Sequence, residues 1–189
     1  VDFFGMIFYE KSPRNITLDE AKTLINNSKE LRIRPVGVFV DHEIKDLKKK
    51  ISSLNLKYIQ LHGSENQLYI DEIKRQFDVK IIKTISINNS EDLNIINKFN
   101  NIEYLLFDYK PANNELPGGN SKTFDWNLLK GQKIKLPWFI SGGINETNIK
   151  KIQNLLNPNG IDLSSGVEVS KGIKSNSKIN NLFKKFYDN

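Results

Sequence analysis

The chain has 189 residues, a net charge of +6, 38% hydrophobic and 26% charged residues, and no cysteine. That length suits one domain with a sizeable core, and no apolar run approaches the ~18 residues of a membrane span. The missing cysteine excludes a disulfide framework, a thiolate metal site and a thiol nucleophile within these residues.

No basic-then-apolar leader opens the chain, so the expected location is cytoplasmic. The basic balance raises nucleic acid as a partner. However, Lys48-Lys49-Lys50 and Lys184-Lys185 fall on predicted outer helices rather than in one basic-aromatic stripe. Neither nucleic acid nor membrane is expected as a partner. A positive field would instead steer an anionic substrate.

Val1 runs directly into a buried-strand pattern, as in a chain entered in mid-fold. Short apolar, often β-branched runs predict strands at 3–8, 35–40, 57–61, 79–85, 103–108, 137–141 and 160–163. Helices are predicted between and after them, at 17–28, 42–53, 65–77, 89–99, 123–130, 145–156 and 177–187. Ile44, Leu47, Ile51 and Leu54 give the second its apolar stripe. Thr17 and Glu20 have the spacing of a capping box, and Asn145 suits a helix cap.

Strict βα alternation implies a parallel sheet. Doubly wound sheets usually carry a glycine-rich phosphate loop after the first strand, and nothing of that kind follows residues 3–8. Glycine-rich turns instead follow the last two strands, where (β/α)₈ barrels hold phosphate. The expected fold is therefore an N-terminally truncated TIM (β/α)₈ barrel with seven βα units present. It is expected to be one domain over 1–189, lacking the first strand and helix and leaving strand edges at 3–8 and 160–163.

Active sites of such barrels sit at the C-terminal strand ends. Arg14, in Lys11-Ser12-Pro13-Arg14, could clamp a carboxylate or phosphate through paired hydrogen bonds. His62 could be a general acid or base; the favoured reading is a loop histidine that holds a neighbour by one hydrogen bond. Lys83, inside a strand, must be paired if buried, and a place near the anionic ligand is expected. Asp108 ends a strand at an apolar mouth, where desolvation would keep a carboxyl protonated, so it is the candidate general acid. Residues 117–126 form a long loop suited to a lid. Ser141-Gly142-Gly143 and Ser164-Ser165-Gly166 are the candidate phosphate turns, because glycine lets backbone N–H groups approach an anion closely.

Together these segments resemble phosphoribosylanthranilate isomerase, the tryptophan-pathway barrel. The resemblance rests on Gly5-Met6-Ile7-Phe8-Tyr9 with Lys11-Ser12-Pro13-Arg14, Val36-Gly37-Val38-Phe39, Gln60-Leu61-His62-Gly63 and Leu106-Phe107-Asp108. It continues through Gly118-Gly119 with Lys122-Thr123-Phe124-Asp125-Trp126, Ser141-Gly142-Gly143, and Asp162-Leu163-Ser164-Ser165-Gly166-Val167-Glu168. The motifs span nearly the whole chain in family order.

The resemblance implies an Amadori rearrangement of N-(5-phosphoribosyl)anthranilate to 1-(2-carboxyphenylamino)-1-deoxyribulose 5-phosphate, with no metal or organic cofactor. It gives Asp108 the acid's role, Arg14 the anthranilate carboxylate, and the two glycine-rich turns the phosphate. The family's base is a cysteine ending the first strand, in a Lys-Ile-Cys-Gly-like motif with no counterpart here, so weak or absent activity of this chain alone is expected. Two other readings remain. One is a non-catalytic phosphate-binding barrel remnant. The other is the C-terminal part of a fusion with indole-glycerol-phosphate synthase, or an association with it. That synthase itself would want a catalytic lysine and glutamates at strand ends, for which Lys83 and Glu168 are available, but the motifs around Arg14 and His62 fit the isomerase better.

Overall fold

The apolar runs of the sequence form seven parallel strands in a computed structural model that describes residues 1–112 and 115–188. They are β1 (Phe3–Phe8), β2 (Arg34–Phe39), β3 (Tyr58–Leu61), β4 (Lys80–Ile87), β5 (Tyr104–Tyr109), β6 (Trp138–Ile140) and β7 (Gly160–Ile161), and their spatial order follows the chain. The residues divide into two compact units, one of 1–84 with 98–103 and one of 85–97 with 104–189, so the boundary falls inside β4.

In the first unit, α1 (Leu18–Ser28), α2 (Ile44–Leu54) and α3 (Gln67–Gln76) alternate with β1 to β4. The expected capping box starts α1: Thr17 Oγ1 accepts from Glu20 N at 3.2 Å, and Thr17 N donates to the Glu20 carboxylate at 2.7 Å. Asn55 closes α2 in the left-handed conformation that Asn tolerates, with φ of 47°. The stripe Leu47, Ile51 and Leu54 is buried, as its spacing requires. Strand residues Ile59, Leu61 and Ile81 are fully enclosed, which is why they read as unbroken apolar runs rather than as alternation.

In the second unit, β5 pairs with β6 and β6 with β7, accompanied by α4 (Ile149–Leu155) and α5 (Asn176–Tyr187). Two predicted helices are 3₁₀ turns instead, at Ser90–Ile95 and Trp126–Leu129. The first lies in an Asn-, Ser- and Asp-rich stretch whose side chains bond the backbone in place of a helix ladder. Asn89 Oδ1 accepts from Glu91 N and Asp92 N, while the Asp92 carboxylate accepts from Asn88 N and Asn89 N. The helix predicted over 145–156 starts only at Ile149, because Asn145 first folds a side-chain turn onto Thr147 N at 2.8 Å. An antiparallel hairpin of β8 (Glu168–Ser170) and β9 (Ile173–Lys174), turned at Gly172 with φ of 85°, was not legible beforehand. No helix among the described residues is long and apolar enough to cross a membrane.

His42 follows β2, with its ring edge-on to Phe39 at 5.2 Å and its Nδ1 3.2 Å from the Val40 carbonyl. Burial, and then the charge of Lys50, push the imidazole below its ordinary pKa; the Val40 carbonyl, Asp46 and Glu65 act in the opposite sense. A folded-state pKa below the unfolded value means that the unfolded chain protonates first. The associated stability is complete above about pH 6.5 and is lost as pH falls toward the folded value. The thermal midpoint should therefore drop between about pH 7.5 and 5.5, and His42→Asn should flatten that drop in a melting series. Equal slopes in both proteins would remove His42 as its source.

Candidate active site

Parallel pairing places the C-terminal ends of β1 to β3 along the same edge of the first unit's sheet. At β1, Ser12 organises the exit. Its N–H donates to Tyr9 O at 2.8 Å, its carbonyl accepts from Asn15 N at 3.0 Å, and its hydroxyl accepts from Arg14 N at 3.1 Å. The half-buried Arg14 is thus carried on a short fixed turn that rejoins β1 through Ile16 N and Ile7 O, 3.0 Å apart.

At β3, Gln60 is buried and its Nε2 lies 2.7 Å from His62 Nδ1 and 3.4 Å from Thr84 Oγ1. Gln60 is therefore one hydrogen-bond neighbour of His62.

Lys83 is 3% exposed, and Glu65, which the sequence reading passed over, is 1% exposed at its side chain. Lys83 Nζ donates to Glu65 Oε2 at 2.7 Å, to Gly63 O at 2.7 Å and to Leu61 O at 3.4 Å. An ammonium has three donors, and all three are spent inside the protein. The pairing that burial of Lys83 requires is thus supplied by Glu65. The other face of Glu65 accepts from Asp41 N at 2.9 Å and from Gly63 N at 3.2 Å, so one carboxylate ties the exits of β2 and β3 to the body of β4. The one available signal for Glu65 was the cost of burying Lys83 without an anion.

In the second unit, Asp108 ends β5 at 5% exposure, and its Oδ1 accepts from Tyr109 N at 2.8 Å. The β6 exit folds over it. Ser141 N donates to Phe107 O at 2.8 Å, and Gly142 follows with φ of 86°. A Cβ on Gly142 would stand 3.2 Å from Asp108 Oδ1. Gly166, in the second candidate turn, packs on the first so closely that a Cβ would lie 1.9 Å from Ile144 O. The second unit therefore brings Asp108, Ser141-Gly142-Gly143 and Ser164-Ser165-Gly166 together.

Two lysines unmarked by any motif brace the second turn. Lys174 Nζ donates to Ser164 O and to the buried Glu168 carboxylate, each at 3.0 Å, and Lys178 Nζ donates to Glu168 O at 2.6 Å. The suggested lid, 117–126, is anchored by buried Phe124 and Trp126 and by an ion pair between Lys122 and Glu115.

Two outcomes are expected. Lys83→Met leaves Glu65 buried without its cation and should cost about 3–5 kcal/mol in denaturant unfolding, while Glu65→Gln with Lys83→Met should recover much of it. Gly166→Ala must displace the Ile144 carbonyl and should cost about 1–3 kcal/mol, together with a weaker affinity for inorganic phosphate by calorimetry. Undiminished phosphate affinity would detach the turn from anion binding.

A family model described as N-(5'-phosphoribosyl)anthranilate (PRA) isomerase matches residues 1–185. The N-(5'-phosphoribosyl)anthranilate isomerase of Zymomonas mobilis is 40% identical over 180 residues, 94% of this chain and 84% of its own. That of Paramagnetospirillum magneticum is 34% identical over 185 residues, 97% of this chain and 86% of its own. Among solved structures, the phosphoribosyl anthranilate isomerase of Thermotoga maritima superposes with a TM-score of 0.84 at 29% identity, covering 98% of this chain and 88% of that one. An isomerase in complex with reduced 1-(o-carboxyphenylamino)-1-deoxyribulose 5-phosphate gives 0.81 at 27% identity, covering 98% and 87%.

Proposed function

This chain belongs to the N-(5'-phosphoribosyl)anthranilate isomerase family, and we propose on that premise that it carries the acid and the substrate-binding groups for the Amadori rearrangement of N-(5-phosphoribosyl)anthranilate in cytoplasmic tryptophan biosynthesis. The observation that carries the reading is the meeting, within the second unit, of a buried carboxyl with two contacting glycine-rich turns at successive strand ends.

In this reading Asp108 protonates the furanose ring oxygen. The C1–O bond breaks, and the nitrogen lone pair forms the imine. Loss of the C2 proton then gives an enolamine, which takes up a proton at C1 and gives up the proton of its C2 hydroxyl to yield the ketose. Ser141, Gly142, Gly143, Ser164, Ser165 and Gly166 hold the 5-phosphate with backbone N–H groups and hydroxyls. Arg14 takes the anthranilate carboxylate through paired hydrogen bonds, and His62 contacts the ligand from β3. Lys83 stands near the ligand behind His62, paired with Glu65.

The same membership supports reading 1–189 as one (β/α)₈ domain of which seven βα units are present, since the chain covers 84–86% of these relatives. The base that the resemblance assigns to a cysteine is not among these residues, which contain none. The test joins a βα unit ending in cysteine to Val1 and follows disappearance of N-(5-phosphoribosyl)anthranilate. The extended chain should turn over while the 189 residues alone should not, and Asp108→Asn in the extended chain should lose about 10²-fold or more. Full turnover by Asp108→Asn, or none by the extended chain, would sink the assignment.

A further inference from the structure

The bonds around His62 have a pattern that no motif announces. Lys83 Nζ holds the carbonyls on both sides of it, Leu61 O at 3.4 Å and Gly63 O at 2.7 Å. Glu65 takes the next N–H, with its Oε2 3.0 Å from Gly63 N. The His62 N–H itself goes to Phe39 O at 2.8 Å. The peptide on either side of this residue is therefore fixed by one buried ion pair and by the neighbouring strand.

The ring is fixed separately. Gln60 Nε2 has two hydrogens; one serves His62 Nδ1 at 2.7 Å and the other Thr84 Oγ1 at 3.4 Å. A ring nitrogen that accepts carries no proton, so the neutral imidazole has its N–H at Nε2. His42 shows the opposite arrangement, since its Nδ1 faces a carbonyl, which can only accept.

We propose that Gln60, Lys83 and Glu65 are positioning residues for His62: the ion pair pins the peptide on both sides, and Gln60 sets the ring proton on Nε2. Their bearing on the reaction rests on the placing of His62 at the substrate under Proposed function. The clamp itself does not. Removing the Gln60 amide frees the ring to exchange tautomers, and removing the ion pair lets the His62 backbone drift from Gln60.

The chain has two histidines, and His42→Asn assigns them in long-range nitrogen–proton correlation spectra. At about pH 8, above the ordinary histidine pKa of about 6.5, His62 should carry Nε2–H and His42 Nδ1–H. Gln60→Met should cut the His62 preference about fivefold, the worth of one net hydrogen bond. Glu65→Gln with Lys83→Met should cut it comparably and leave the His42 tautomer, set by the Val40 carbonyl, as it is. Titration with reduced 1-(o-carboxyphenylamino)-1-deoxyribulose 5-phosphate should shift the His62 resonances, and the double variant should bind it about fivefold more weakly.

A wild-type His62 protonated on Nδ1 would mean that the Gln60 amide is turned over, and would overturn the proposal. A tautomer ratio untouched by both variants would overturn it as well. If the tautomers behave as stated and the analogue binds without moving His62, the bearing of the clamp on the reaction falls. If the analogue does not bind the wild-type chain at all, the proposed function fails while the clamp stands.

Discussion

Parallel strands can be joined only by a return crossover, and that constraint sets where polar chemistry can gather in this protein. Each strand must send its chain back along the outside before the next begins, so within a unit all strands end on the same edge. Strand interiors are enclosed on both faces and admit little but Ile, Leu, Val and Phe, as at Ile59, Ile81, Leu105 and Phe107. The residues with chemistry to offer stand where the enclosure stops: Arg14 after β1, His62 after β3 and Asp108 at the end of β5.

Lys83 departs from that pattern, a charge inside a strand three residues past its start. Its burial is tolerable only because Glu65 arrives from the turn before α3 with a carboxylate that has further donors of its own. A buried pair that merely neutralised itself would be weak evidence for stability. This one also orders two loop exits that have little apolar surface to hold them, since Asp41 and Ser64 are exposed. Asp41 adds to that order from the other side, accepting from Ser64 N at 2.7 Å and from Ser64 Oγ at 2.9 Å while it holds a left-handed backbone with φ of 48°.

The strands were legible because burial on both faces leaves an unmistakable run of apolar letters, and α1 and α2 because a cap or an apolar stripe marked them. The predicted helices over 89–99 and 123–130 failed for a local reason: Asn89, Asp92 and Asp125 spend their side chains on nearby N–H groups, so only 3₁₀ turns form. Of the site, the residues at strand ends could be named from order and residue type alone. What could not be read was partnership. Nothing in the letters joins Lys83 to Glu65, eighteen positions earlier, rather than to a ligand, and nothing tells Gly166 that it must lie against Ile144. Those are contacts between elements, and they exist only once the register of β3 against β4 and the approach of two turns are fixed.

The division into two units has a practical side. Both histidines, His42 and His62, lie in the first unit, and both tryptophans, Trp126 and Trp138, lie in the second. Indole emission thus reports on the second unit alone, and imidazole proton resonances on the first. The natural sequence already carries an independent optical label and an independent magnetic label, one for each unit. Coincident denaturation curves from the two would establish that the chain melts as one cooperative body; displaced curves would resolve two melting steps without a single introduced probe.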